Sequence, residues 1–297
     1  MLSMLLLLVT APAHAREKVA LVVSDTISAY TDPVGPFMEE LGQSVEVLQI
    51  HGRANEARDA IERLDQLGPE AVYCIGAKAC YAVHQSMPEV PLVYSTIFDP
   101  ERYGITGPKV TGVTMEVEPV TYLSQFVGLF PDVRSVGVIR GPSMTENDWL
   151  EIAAAGVELD LAVVDQRVRA PRDVRSAVVL LARKEVDALW VPPDRAILTS
   201  DNYRTITEEA RRRHLPLLVD TRNMVEAGGL FTLAPDAEAV GRQSARLVRR
   251  ILDGDKVSKL RPQTPEKLLV VLNTATLERA DLEFDKLLLD FVDVVVD

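Results

Sequence analysis

Hydroxyl, carboxylate and basic side chains follow several apolar segments of this sequence, at the points where loops begin. Asp194 follows the apolar run Ala188–Val191 and a Pro-Pro pair, and a carboxylate there can hold the ammonium group of a small molecule through charge-assisted hydrogen bonds. It can equally cap a helix around Thr199–Ser200. Residues of this kind form a set of candidate ligand contacts: Tyr30, Gly76, Ala77, Lys78, Ser95, Thr96, Arg140, Ser143, Asp194 and Asp220.

Two of these loops carry groups that suit an anion. Ser95 and Thr96 can donate to a ligand carboxylate, or they can satisfy the backbone of their own turn. Gly76 and Ala77 open a predicted helix, whose first N–H groups suit an anion. Gly76 can also serve only to relieve crowding at the turn from strand to helix.

The other candidates have structural or solvated alternatives as well. Lys78 and Arg140 can clamp a carboxylate or phosphate, yet basic loop residues are often only solvated. Tyr30 can stack on a ligand or cover the edge of a sheet. Asp220 can contact a ligand or shape its turn.

Catalytic and metal-binding motifs are absent from the sequence. It contains no Gly-x-Ser-x-Gly elbow, no phosphate-binding glycine loop and no His-Glu-x-x-His motif. His51, His84 and His214 fall in or beside different predicted elements, and two cysteines complete no metal-ligand cluster with them. We therefore expect no catalytic residue, no metal and no cofactor, with a cleft enzyme as the alternative.

The two cysteines lie close in sequence but in different elements. Cys74 falls in a predicted buried strand and Cys80 in the helix that follows it. We therefore expect their side chains to diverge and both thiols to be buried and free. A disulfide is the alternative if the protein is exported.

Near-continuous apolar runs alternate with amphipathic helical patterns in two successive passes, which meet near Glu118–Pro119. Such runs are typical of parallel strands that are covered on both faces. The predicted strands are Lys18–Ser24, Ser44–Ile50, Ala71–Gly76, Pro91–Ser95, Val133–Ile139, Leu159–Val164, Ala188–Val191 and Leu215–Val219. The pattern predicts an α/β protein with two doubly wound, Rossmann-like lobes of parallel sheet.

Helix signals support this organisation. Ser143-x-x-Glu146 has the form of a capping box, which predicts the start of a helix. A long amphipathic helix is predicted from Asp236 to Gly254, with acids first and Arg249–Arg250 last, as the helix dipole prefers. Right-handed crossovers bring the loops after the strands, and so the candidate contacts, to one edge of each sheet.

Domain boundaries follow from the duplication. We expect lobe 1 to span 16–116 and to be completed by about 233–262. We expect lobe 2 to span 117–232 and to be completed by about 263–297. The segments Met115–Glu118, Thr232–Pro235 and Arg261–Pro262 are the predicted hinges between them.

The first residues have the character of an export signal. The apolar run Met1–Val9 is too short to span a bilayer and leads into Ala11–Ala15, whose Ala-x-Ala ending suits signal peptidase. We expect a signal peptide over 1–15, cleavage after Ala15 and a periplasmic mature protein from Arg16. A buried N-terminal helix is the alternative.

The charge of the chain argues against polyanionic partners. The formal net charge is −12 and the isoelectric point is about 4.9, with basic residues scattered along the chain. This balance excludes nucleic acid and anionic membrane as expected partners.

A series of short motifs extends along most of the chain, and their order is more informative than any one of them. They are Pro91–Tyr94 leading to Asp99-Pro100, Val110–Thr114, Val133–Gly137, Val186–Trp190 leading to Asp194, Val225-x-Ala227-Gly228, Gly241–Gln243, Ile251-Leu252-x-Gly254 and Leu272-Asn273. In this order they resemble the periplasmic substrate-binding proteins of ABC importers with the type I two-lobed fold, in the branch that includes tryptophan and tyrosine binders. Lys78 departs from the small or hydroxylated residue that amino-acid binders tend to have at that helix start.

The resemblance implies a role and partners. It implies a monomeric extracytoplasmic protein that captures a small polar solute, an amino acid or small carboxylate being favoured. The solute would be bound between the lobes by hinge closure and delivered to an ABC permease in the inner membrane. The alternative is a sensor that passes ligand occupancy to a membrane receptor.

Overall fold

A computed structural model describes residues 19–43, 45–194, 196–280 and 282–297. The predicted signal peptide lies outside these residues. Contacts divide the chain into two compact units: unit 1 (Met1–Thr114 and Ala237–Gln263) and unit 2 (Met115–Asp236 and Thr264–Asp297). The chain therefore passes from one unit to the other three times.

Strands and helices alternate along the described residues. The strands are β1 (Val19–Val23), β2 (Glu46–Gln49), β3 (Ala71–Ile75), β4 (Leu92–Ser95), β5 (Val110–Gly112), β6 (Ser135–Arg140), β7 (Ala162–Arg167), β8 (Ala188–Trp190), β9 (Leu217–Leu218), β10 (Phe231–Pro235), β11 (Leu268–Asn273) and β12 (Val294–Val296). The α-helices are α1 (Ser28–Thr31), α2 (Val34–Leu41), α3 (Ala54–Leu67), α4 (Ala77–Ser86), α5 (Pro119–Leu129), α6 (Glu146–Glu158), α7 (Val174–Arg183), α8 (Ser200–Arg212), α9 (Arg222–Glu226), α10 (Ala237–Leu252) and α11 (Thr274–Leu277).

The two sheets share one strand order. Unit 1 has the order β2-β1-β3-β4-β5, with every pair parallel. Unit 2 repeats it as β7-β6-β8-β9-β10 and adds β11, antiparallel to β10, and β12, parallel to β11. Each unit is therefore a doubly wound α/β sheet, as the sequence predicts.

The strand β10 explains where the second passage between units occurs. It pairs with β11 along its whole length, from Phe231 to Pro235, and so belongs to the unit 2 sheet. The contact boundary consequently falls after Asp236, whereas the sequence places it between residues 232 and 233.

The core of unit 1 lies on both faces of a sheet whose central strands are fully buried. On one face Phe37 of α2 stacks on Tyr73 of β3, with ring centroids 4.4 Å apart. The helix α10 packs against α2 so closely that a Cβ atom on Gly241 would lie 2.3 Å from the carbonyl oxygen of Pro33. Gly241 therefore sets the distance between these two helices.

The opposite face of the same sheet holds both cysteines. Cys74 and Cys80 are free and fully buried in one apolar cluster beneath α3 and α4, as predicted. The predicted divergence of their side chains is wrong. Burial raises the pKa of the Cys80 thiol well above its usual value, and the neighbouring Cys74 thiol raises that pKa further. The helix that follows β3 therefore folds back with Cys80 facing the strand.

Aromatic side chains dominate one core of unit 2. Tyr122 of α5 stacks on Trp190 of β8, with ring centroids 4.9 Å apart and planes 6° from parallel. Phe126 and Phe231 pack beside them. The helix α5 is thereby fixed against β8 and β10.

The predicted capping box of α6 is displaced by one half-turn. The hydroxyl of Thr145 accepts from Asp148 N, and the Asp148 carboxylate accepts from Thr145 N at 2.7 Å. Ser143 and Glu146 do not form the box, because Glu146 pairs with Arg140 and the backbone N–H of Ser143 is bound elsewhere.

Gly241→Ala tests the close contact between α10 and α2. The added methyl group meets backbone, which cannot rotate away, so we expect the free energy of unfolding to fall by about 1–3 kcal/mol in urea denaturation. Gly35→Ala is the matched control on α2, because a Cβ atom there has no neighbour within 4 Å. It should stabilise the protein by about 0.5–1 kcal/mol. Equal effects of both changes would contradict the close packing.

Candidate functional site

Both sheets have a crevice at the carboxyl ends of their strands. In a doubly wound sheet, the loops after the first and third strands leave in opposite directions, and the gap between them is where ligands bind. These strands are β1 and β3 in unit 1 and β6 and β8 in unit 2. Seven of the ten predicted contacts lie in or beside the loops that bound these gaps. The other three lie at the end of the next strand of each sheet, Ser95 and Thr96 at the end of β4 and Asp220 after β9.

Ser24 holds the crevice of unit 1 together. Its side chain is buried, and its Oγ accepts from the backbone N–H of Ala79 at 3.0 Å. Its own N–H donates to the carbonyl of Ile75 at 2.9 Å, and its carbonyl accepts from Gly52 N at 2.8 Å. Loops after three strands therefore meet at one residue.

Gly76 allows this close approach. Its φ angle is +86°, and a Cβ atom there would lie 2.6 Å from Ser24 Oγ and 2.9 Å from a ring carbon of Tyr30. Only glycine fits this backbone conformation and this space without strain. The structural role of Gly76 is thus explicit, and half-buried Tyr30 covers the same turn.

The first turn of α4 offers unpaired donors. The backbone N–H groups of Ala77 and Lys78 make no hydrogen bond to a described residue, and the exposed Lys78 side chain donates only a 3.4 Å bond to Gly52 O. No acidic residue lies in this turn. Two free N–H groups, a helix dipole and an ammonium group together suit an anion.

Ser95 and Thr96 differ in what they can offer. Ser95 is fully buried, and its Oγ shares a hydrogen bond of 2.7 Å with Tyr73 OH. Thr96 is half-buried, has a φ angle of +58°, and its Oγ1 lies 3.4 Å from Ser95 Oγ. The Ser95 hydroxyl is therefore hydrogen-bonded within the core, whereas Thr96 is partly exposed.

Asp194 joins the loops on the two sides of the crevice of unit 2. It is 2% exposed, and its Oδ2 accepts from Ser143 N at 2.7 Å while Oδ1 accepts from Ala196 N at 2.8 Å. It does not cap α8, whose N-terminal cap is the Thr199 hydroxyl. Both carboxylate oxygens are engaged by backbone. Ser24 follows the first strand of its crevice and Asp194 follows the third strand of the other, but each binds a backbone N–H group on the opposite side of its gap.

Arg140, at the end of β6, is a buried cation. It is 4% exposed, its NH2 donates to Glu146 Oε2 at 2.6 Å, and its guanidinium lies 5.5 Å from the Trp149 ring centroid. The Arg140 guanidinium holds the pKa of Glu146 below its usual value. Its Nε is buried without a hydrogen-bond partner among the described residues.

A groove of about 360 Å³ lies beside Arg140, at the ends of β6 and β7. Its lining consists of Gly141, Pro142, Met144, Arg167, Val168 and Arg169. Arginine side chains thus concentrate at this side of the unit 2 edge.

Asp220 has the most unusual surroundings of the ten residues. Its Oδ2 is buried and makes no hydrogen bond among the described residues, and the same holds for Trp190 Nε1 and Thr232 Oγ1. Tyr122 lies among them, stacked on Trp190 and donating to Val219 O at 2.6 Å. We call Tyr122, Trp190, Asp220 and Thr232 the Asp220 cluster.

Electrostatics confirm that the cluster is poorly solvated. Burial raises the pKa of Asp220 well above its usual value, and the nearby indole N–H of Trp190 lowers it only in part. Burial, and secondarily the Asp220 charge, raises the pKa of Tyr122 well above its usual range. Buried polar atoms usually have partners, and the orphan atoms of this cluster lie near one another but outside hydrogen-bonding geometry, so each can take a further partner.

The sequence missed three members of this cluster. Trp190 lies in the apolar strand predicted for Ala188–Val191, and its ring is buried there, but no sequence pattern indicates that its N–H lacks a partner. Tyr122 has the helical spacing of a core residue with Phe126, and Thr232 falls in an apolar strand. A polar atom inside an apolar run was the available signal for both.

No helix in the described part of the chain is both long and apolar enough to span a bilayer. Within the same residues, no group of three or more histidine, cysteine or acidic side chains could hold a metal ion.

Asp220→Asn tests the cost of the buried carboxylate. Because the pKa of Asp220 is raised in the folded state, the folded wild-type protein keeps a proton on this carboxyl above pH ~4, where the unfolded chain has lost it. The free energy of unfolding therefore falls as the pH rises through the folded-state pKa. The amide carries no charge, so the variant should gain stability relative to wild type as the pH rises from 4 to 8. Urea unfolding at both pH values measures the difference.

Asp201→Asn is the control, because its side chain is 89% exposed. It should shift stability little and equally at both pH values. If the free energies of unfolding of Asp220→Asn and wild type differ by the same amount at pH 4 and pH 8, the idea of a buried carboxyl with a raised pKa is contradicted.

Several solved structures have folds similar to that of this chain. A protein from Streptococcus pneumonia, described as an ABC domain in complex with L-Trp, has 19% identity and a TM-score of 0.67, covering 94% of this chain and 100% of its own. A ligand-free, open substrate-binding protein with adhesive properties from Clostridium difficile has 16% identity and a TM-score of 0.78, covering 95% and 99%. A conserved domain protein from Vibrio cholerae has 18% identity and a TM-score of 0.67, covering 94% and 99%.

These likenesses confirm the predicted type I two-lobed α/β fold. A search of the curated proteins gives no match. The family model for ABC transporter substrate binding protein matches residues 40–295, which is most of the sequence. The chain therefore belongs to the ABC transporter substrate-binding protein family, as its order of motifs predicted.

Proposed function

We propose that this protein captures a small zwitterionic solute, an amino acid being favoured, outside the cytoplasm and delivers it to an ABC permease. The observation that carries the proposal is the buried Oδ2 atom of Asp220, which has no partner among the described residues. A carboxylate that lacks a partner in the protein is complementary to a ligand ammonium group.

The neighbours of Asp220 refine the kind of ligand. Trp190 Nε1 is a donor and Thr232 Oγ1 can donate or accept, so the cluster can serve both donors and acceptors on a ligand. The ring surfaces of Tyr122 and Trp190 provide an apolar and aromatic setting in which the charge pair is strengthened. Asp194, whose oxygens already hold backbone N–H groups, is in this proposal a support for the crevice.

The edge of unit 1 supplies the complementary charge. The unpaired N–H groups of Ala77 and Lys78, the Lys78 ammonium group and the Thr96 hydroxyl suit a carboxylate. An α-amino acid carries both an ammonium group, which suits Asp220, and a carboxylate, which suits the edge of unit 1. The L-Trp held by the pneumococcal protein is a reason to include aromatic amino acids among the candidates.

Capture would proceed by closure of the two units on the solute, with the passages near residues 115, 236 and 264 as hinges. The solute shifts the population toward the closed form to the extent that it binds that form more tightly. The periplasmic location and the permease partner belong to the same proposal and are supported by the family. The export signal and the monomeric state are part of the proposal as well.

A thermal-shift screen of the chain from Arg16 tests the proposal. The compounds are amino acids, small carboxylates, nucleosides, sugars and vitamins. A ligand at about 100 times its dissociation constant adds roughly 2.7 kcal/mol, which raises the melting temperature by several degrees for a protein of this size. We expect amino acids to give the hits. Hits confined to uncharged sugars or nucleosides would contradict the zwitterion proposal.

Calorimetry with the best hit then tests the assignment of Asp220. Asp220→Asn should weaken binding about 30-fold or more, because removing one partner of a buried charge pair costs about 2 kcal/mol or more. Asp201→Asn, on an exposed helix position, should bind as wild type does. If Asp220→Asn binds the solute with wild-type affinity, another residue must bind the ammonium group.

A further inference from the structure

A second groove opens on unit 2, at the edge of its sheet opposite to Asp220. The residues before β9 and β10 meet there with those after β11, which runs antiparallel to β10. The groove has a volume of about 250 Å³. Its polar and charged lining consists of Thr207, Glu208, Arg211, His214, Thr276 and Arg279.

Two arginines of this groove have no acidic partner in the part of the chain that the structure describes. Arg211 lies in the last turn of α8, and Arg279 follows α11. Both are exposed, and neither side chain makes an ion pair or hydrogen bond with a described residue. Glu208 also lines the groove and pairs with neither of them.

The two arginines that follow Arg211 in the sequence behave differently. Arg212 and Arg213 both pair with the buried carboxylate of Glu209, at 3.1 Å and 2.5 Å, and Arg175 of α7 joins them at 2.5 Å. Glu209 is thus saturated by three guanidinium groups. Of three consecutive arginines, Arg212 and Arg213 are bound to a carboxylate, and Arg211 has no acidic partner among the described residues.

A hydrogen bond fixes the two sides of the groove to each other. The Nδ1 atom of His214 lies 3.1 Å from the carbonyl oxygen of Arg279. His214 has a φ angle of +56°. A carbonyl only accepts, so Nδ1 carries the hydrogen and Nε2 remains for another partner. The segment after α11 is thereby held against the end of α8, which keeps Arg211 and Arg279 on one groove.

Size and chemistry together define what fits. A volume of about 250 Å³ corresponds to roughly eight waters at ~30 Å³ each and is below the ~300 Å³ at which sites for drug-sized ligands begin. Guanidinium groups bind carboxylate and phosphate oxygens in a bidentate manner. The Thr276 hydroxyl has no side-chain partner among the described residues and can donate as well.

We propose that this groove is a binding site for a small oxyanion with at least two negative charges, of the phosphate or dicarboxylate type. Arg211 and Arg279 bind its oxygens, and Thr276 adds a hydroxyl donor. The site is separate from the Asp220 cluster, since Leu217 lines the groove and Asp220 lies three residues further along the same chain direction, about 10 Å away. This inference does not depend on the proposed solute.

Calorimetric titration with inorganic phosphate, and in a second arm with malonate, tests the site. The protein is kept in a low-salt buffer that contains neither ion. We expect saturable binding of one anion per chain, and an affinity at least about tenfold lower in Arg211→Ala/Arg279→Ala, because both bidentate donors are lost. Thr276→Val, a milder change, should weaken binding in the same direction. Binding of malonate alone would identify a dicarboxylate site, and binding of phosphate alone a phosphate site.

Two controls make the result decisive. Arg58→Ala/Arg183→Ala removes two exposed arginines that also have no acidic partner among the described residues, and it should leave binding unchanged. Asp220→Asn should bind the anion as wild type does. The proposal is overturned if wild type shows no saturable binding of either anion, if both double variants weaken it equally, or if Asp220→Asn abolishes it. Circular dichroism verifies that each variant is folded.

Discussion

Both units depend on one constraint, which is the need to satisfy the backbone where the first and third strands of a doubly wound sheet diverge. Polar backbone groups in that gap are buried and must find partners within the protein. Ser24 provides them in unit 1 through its hydroxyl, N–H and carbonyl groups. Asp194 provides them in unit 2 through both carboxylate oxygens. In each unit these hydrogen bonds join the loops that bound the crevice.

The Asp220 cluster contrasts with these two crevice residues. A buried polar atom without a partner costs about 1–3 kcal/mol, and the crevice residues show that the fold can provide partners where the backbone needs them. Asp220, Trp190 and Thr232 retain orphan atoms close together in unit 2. We interpret this cost as stability given up in the free protein and recovered when a ligand supplies the missing partners, which is a common arrangement at functional sites.

The fold could be predicted from sequence largely because its signals are local. Apolar runs and helical spacing located strands such as β1 and β3 within a residue or two, and the order of motifs identified the family. The α6 cap was misplaced because Ser143 and Thr145 both precede an acid at the right spacing, and only the competing bonds to Arg140 and Asp194 decide between them. The candidate site was only partly predictable. Loops after strands are visible in sequence, but an orphan atom such as Trp190 Nε1 depends on contacts between residues far apart in the chain.

The indole N–H of Trp190 allows the central claim to be measured directly. The chain has two tryptophans, Trp149 and Trp190, so a ¹⁵N–¹H spectrum contains two indole signals, which Trp149→Phe assigns. We expect saturation with the solute that most raises the melting temperature to shift the Trp190 signal strongly, because Nε1 gains a partner or a charged neighbour beside Asp220. If that solute binds and the Trp190 signal does not move, the Asp220 cluster is not the binding site and the account is wrong.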